Sequence, residues 1–193
     1  MMLKRSSSIL KAAIAGGALS ALFLVGVSPV LAANGVSQTV TAGVLSASVG
    51  DLALPSVGYS NSAQANPGSM TVSADDSSGA AAGWNVTLQV SSLAYSGSFA
   101  GTAIPAANFV LTSVAQPVLV SGQAVNATAA TGPEIPPTSP LGALDTPRKV
   151  IAATAAYGTG SYTQALGVLL TIPAGSKIGT YTGTLTTTIT VGA

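Results

Sequence analysis

The residues that could do chemistry are few, and they fall in three places: Asp75-Asp76-Ser77-Ser78, Thr146-Pro147-Arg148-Lys149 and the single tryptophan, Trp84. Two acids beside serine hydroxyls could offer oxygens to Ca²⁺. Such an ion wants roughly six to eight ligands, and the alternating Asp/Asn spacing of a calcium loop is missing. An Asx-type turn accounts for the same residues with no ion. As a glycosidase pair, Asp75 and Asp76 are adjacent, where that chemistry needs two carboxyls flanking one bond. Thr146 and Lys149 have only the spacing of an SxxK motif, with the weaker nucleophile. The chain contains no His and no Cys, so an imidazole base, a thiolate nucleophile, a disulfide frame and a thiolate metal site are all excluded. The expectation is a chain with no catalytic residue, no cofactor and no bound metal.

Trp84 admits two readings. Exposed, it would stack on the face of a sugar. On the inner face of a strand it would anchor a core. Val86 and Leu88 follow at i+2 and i+4, and strand alternation puts all three on one side, which favours the core.

The elements that must position these residues come after an export signal. Lys4, Arg5 and Lys11 form a basic start, Ala12 to Val27 an apolar stretch, and Pro29 precedes Val-Leu-Ala-Ala. That order reads as a signal peptide over residues 1–33, cleaved after Ala32 or Ala33. The apolar run is short of the roughly 20 residues that span a bilayer, and the last residues, Thr188 to Ala193, form no hydrophobic stop, so no stable membrane insertion of the mature chain is expected. Cleavage removes three of the six basic residues. Arg148, Lys149 and Lys177 then stand against Asp51, Asp75, Asp76, Glu134 and Asp145, a net charge of −2. Three scattered cations make no footprint for a phosphate backbone, so nucleic acid is excluded as a partner.

Residues 34–193 suit one domain, long enough to bury close to 70 % of the unfolded chain's surface. From Tyr181 to Val191, Tyr, Gly, Leu, Thr, Ile and Val alternate with threonines, a period of two that a helix would scatter around its circumference. Trp84 to Ser91 and Leu166 to Ile172 repeat the pattern. Weaker candidates are Ser37 to Val49, Ser69 to Ala74, Asn108 to Ser113, Val118 to Val120 and Val150 to Ala156. Strands with one apolar face each imply two sheets packed together. The fold class expected is therefore all-β, an antiparallel β-sandwich of about seven to ten strands. Residues 131–147 carry Pro133, Pro136, Pro137, Pro140 and Pro147. Prolines cannot donate to a ladder, so this stretch is expected as a loop over the surface.

Gly83-Trp84-Asn85-Val86-Thr87-Leu88, preceded by Asp75-Asp76 and Gly79, together with Gly179-Thr180-Tyr181-Thr182-Gly183-Thr184-Leu185-Thr186-Thr187-Thr188-Ile189, resembles the WxL-domain surface proteins of Gram-positive and related bacteria. The resemblance runs through most of residues 37–193. It puts the family motif at Gly83, Trp84, Val86, Tyr181, Leu185, Thr187 and Ile189, with Val86 where the first motif has Leu and a degenerate second motif in which Thr187 stands for Trp. It implies a secreted protein of the cell wall or cell surface that associates non-covalently with peptidoglycan, in company with other surface proteins, in a structural or adhesive role. The final run from Tyr181 also looks like the last strand of spore-coat and pilin-like secreted proteins. That second likeness implies a self-assembling coat or fibre subunit using strand addition, with Asn34 to Val49 as the donor.

Overall fold

The computed structural model describes residues 37–125, 132–137 and 140–192. Residues 1–33, read above as a signal peptide, and the loop residues 131, 138 and 139 lie outside that range. Val40–Ala193 is one compact unit. It is an antiparallel β-sandwich, with eleven strands among the described residues: β1 (Leu45–Val49), β2 (Gln64–Asp76), β3 (Trp84–Val90), β4 (Ala94–Ser96), β5 (Phe109–Val114), β6 (Val118–Gly122), β7 (Gly142–Ala143), β8 (Arg148–Ala153), β9 (Gly160–Ile172), β10 (Thr180–Thr182) and β11 (Leu185–Val191).

The larger sheet runs β1-β2-β9-β5-β7, with β6 also on β9; the smaller runs β11-β3-β8, and β10 pairs with β4 beside them. β2 and β9 form the spine, paired over thirteen positions from Gln64↔Ile172 to Asp76↔Gly160. Both alternate, turning Met70, Val72 and Ala74, and Tyr162, Leu166, Val168 and Leu170, into the core. They meet Trp84, Val86, Leu88 and Val90 of β3 and Val150, Ile151 and Ala153 of β8 from the other sheet. At about 25 cal/mol per Å², each large side chain removed from water here contributes about 1.5–3 kcal/mol.

Two sequence expectations need correction. The final alternating run is not one strand. β10 pairs with β4 and β11 with β3, and the chain changes sheets at Gly183-Thr184, where a Cβ at Gly183 would lie 3.1 Å from the Ser91 carbonyl oxygen. Val191, expected inside, is 69 % exposed, because β11 is an edge strand and the core stops at Ile189. The proline-rich stretch is also less superficial than its composition suggests. Pro133, Pro136, Pro140 and Leu144 are buried, and Glu134 bridges to Ala152 beside β8. Leu144 accepts from Val90 N–H on the smaller sheet and donates to Phe109 on the larger. Prolines carry no N–H and need no partner there. Burying them on an edge leaves no N–H without a partner.

Candidate functional site

Six of the seven motif residues come together. Gly83, Trp84 and Val86 open β3, and β11 lies alongside with Leu185 opposite Val90, Thr187 opposite Leu88 and Ile189 opposite Val86. Gly83 has φ 74°, and a Cβ there would approach the Ala153 oxygen at 2.7 Å and the Ala155 nitrogen at 2.8 Å. Only glycine meets both demands. Trp84 is wholly buried, its indole N–H donating to Gly158 O at 2.9 Å, its ring 6.2 Å from that of Tyr162. Asn85 closes the group by donating from Nδ2 to Gly192 O, while Gly192 N–H donates to Gly83 O. These residues lock the last strand to the third. Of the six, Leu185 alone also lines a cleft, described below. Tyr181, the seventh, stands apart on β10, its ring tilted at 56° to that of Tyr95 with 5.3 Å between centroids.

The acid pair ends β2. Asp76 is buried and accepts from both the backbone N–H of Ser78 at 3.1 Å and its hydroxyl at 2.6 Å. The Asx turn is present, but it follows a strand and is built into the core. Asp75 faces outward and accepts from the Ser161 hydroxyl on β9. Burial, and then the neighbouring Asp76 carboxylate, raise the Tyr162 phenol above its ordinary pKa of 10.0. Its hydroxyl donates toward Gln123 O at 2.7 Å and lies 3.1 Å from Thr159 O. Among the described residues no three acids, His or Cys gather as metal ligands. Thr146 and Asp145 lie exposed at the entry to β8, and Arg148 Nε donates to Ala143 O. Among the described residues no base hydrogen-bonds the Thr146 hydroxyl.

What sequence reading missed is a cleft of about 960 Å³ at one end of the sandwich. Its floor is core: Val90, Leu93, Ile104, Phe109 and Leu170. One wall is the strap Gly50–Ser60, which follows β1; the other is Ser176–Leu185, leading through β10. The strap runs beside the first half of β2 without entering the ladder. β1 pairs β2 only from Val72 to Asp76, and Pro67, with no N–H, lies on the unpaired edge beyond. Leu52 and Leu54 of the strap turn inward, filling the space left by Gly68, and Asn66 donates to Pro55 O at 2.8 Å. The rim carries Tyr59, 57 % exposed, and Ile178, 66 % exposed, with Asp51 and Lys177. The signal available in the sequence was the alternation of Asp51-Leu52-Ala53-Leu54 ahead of Pro55. An apolar floor under tyrosines, hydroxyls and amides can hold an extended polymer by stacking and hydrogen bonds.

Comparison of the chain with protein-family models, with characterised proteins and with solved structures finds no match to any of the three.

Proposed function

We propose that this chain is a non-catalytic, exported surface protein that associates non-covalently with the cell wall, with peptidoglycan and other surface proteins as its partners, in a structural or adhesive role. The observation that supports the reading most is the cleft, open at the sandwich end, with an apolar floor and a rim of tyrosine, hydroxyl and amide groups. A wall glycan or its peptide offers the complementary surfaces: sugar faces for stacking, and amides and hydroxyls for hydrogen bonds. The resemblance to WxL-domain proteins points the same way. It is carried largely by residues that fix the fold, with Tyr181 and Leu185 also lining the cleft, so the ligand contact is assigned to the cleft and its rim.

The experiment is co-sedimentation of the chain from Asn34 onward with isolated cell walls, with and without teichoic acid. Wall-dependent pelleting is expected, reduced about tenfold or more by Tyr59→Ala, whose side chain is exposed and whose loss leaves the melting temperature unchanged. Binding should hold as salt rises, because the few scattered charges leave packing and neutral hydrogen bonds to carry the contact. Pelleting that vanishes between low and physiological salt, or that ignores Tyr59, would overturn the assignment.

A further inference from the structure

The outer edge of β6 is an open strand edge of the larger sheet among the described residues. β6 pairs with β9 on one side, and among the described residues no strand pairs with it on the other. Alternate residues of such a strand turn N–H and C=O away from the sheet, where they template another strand. Edges are ordinarily guarded by charge. Here no charged residue occurs between Asp76 and Glu134 in sequence, and Val118, Leu119 and Val120 are 61 %, 38 % and 63 % exposed. Three neighbouring apolar side chains stand out together because the register with β9 slips between Leu119 and Ser121. Pro117 before them and Gly122 after them, with φ 105°, bracket the pairing-competent stretch.

Val-Leu-Val reads the same in both directions. Two copies brought together antiparallel about a two-fold axis at Leu119 would set Val118 against Val120 of the second copy and Leu119 against its own counterpart. Every cross-strand pair is then apolar, two of them β-branched, and no like charges oppose. One patch that complements itself gives a closed dimer, not an open filament. We propose that β6 is the dimerisation edge of this protein, pairing antiparallel with β6 of a second copy through Val118, Leu119 and Val120, so that the two large sheets become one. Three residues a side bury little beside the roughly 1,200–2,000 Å² of a tight complex. The dimer is accordingly weak and concentration-dependent, suited to copies crowded on a surface.

The chain has no cysteine of its own, which makes a register test clean. It uses the chain from Asn34 onward, which contains the whole compact unit Val40–Ala193. Under mild oxidation Leu119→Cys should cross-link to a dimer. Val118→Cys and Val120→Cys should cross-link poorly alone but readily when mixed, at least tenfold above Ile178→Cys, an exposed control at the cleft rim. Sedimentation equilibrium should show monomer and dimer exchanging with concentration. Val120→Lys should raise the dissociation constant tenfold or more with an unchanged melting temperature. A monomer up to millimolar concentration overturns the proposal. So do species larger than a dimer, cross-linking that is equal at all four positions, and association that persists in Val120→Lys.

Discussion

Trp84 shows how much one side chain can hold. It fills the centre of the sandwich, and its only polar atom is matched to Gly158 O. Trp84→Ala removes the ring and leaves that carbonyl without its donor; a loss of about 3–5 kcal/mol is expected, read by chemical denaturation, against a typical total of about 5–15 kcal/mol. Thr187 is the opposite case. Its hydroxyl oxygen is buried with no hydrogen-bond partner, opposite Leu88. Thr187→Val keeps the shape and removes the orphan, so the melting temperature should rise, by an amount equivalent to about 1 kcal/mol. Tyr162 sets the alkaline limit. Its folded pKa lies above the unfolded 10.0, so the folded state holds its proton where the unfolded state loses it. The stability this represents is intact below pH 10 and falls as pH rises through the raised value. Thermal unfolding followed across that range should show the decline, and Tyr162→Phe should flatten it even though the variant starts from a lower melting temperature.

At the scale of elements, the strands that were legible in the sequence are those whose inward positions are all apolar. Trp84 to Ser91 maps onto β3 within a residue, and Leu166 to Ile172 falls inside β9. The first half of β9 was hidden because its inward residues are Tyr162 and Gln164. Likewise the start of β2 turns Asn66 inward and carries Pro67. Polar residues at core positions break the alternation that marks a strand, and only the tertiary partners that satisfy them explain their presence. Gln164 is such a residue. Its Nε2 donates to Ala115 O at 3.1 Å, where β5 gives way to β6, and to Val150 O at 3.0 Å on β8, so one amide ties the two sheets together. Gln164→Leu strands both carbonyls and is expected to destabilise by about 1–3 kcal/mol, with hydrogen exchange quickening in β6 and β8 together. The strap and the cleft were illegible for a different reason. Their form depends on a ladder that stops, and period alone does not reveal where pairing ends.

For the whole molecule, the sandwich class followed from composition and spacing, because Gly, Pro, Asn and Asp interrupt short β-branched runs throughout. The order of strands did not. β3 lies between β8 and β11, both from the C-terminal half of the chain, and no local pattern announces that β11 is its neighbour. Removing Thr180–Ala193 therefore takes away an edge that is also a wall of the cleft. The truncated chain is expected to aggregate, with soluble yield and light scattering as the readout, because β3 would then expose its unpaired groups and its apolar face.

The register that sets Trp84 opposite Val191 also governs when this protein can fold. The smaller sheet pairs β3 with β11, strands about a hundred positions apart, so it cannot close until Leu185–Val191 has been made. Pairings so distant in sequence fold slowly, on the order of milliseconds to seconds. Until then the smaller sheet stays open by topology. Nascent chains arrested before Leu185 should remain protease-sensitive, whereas chains released at full length should acquire resistance in a single slow phase.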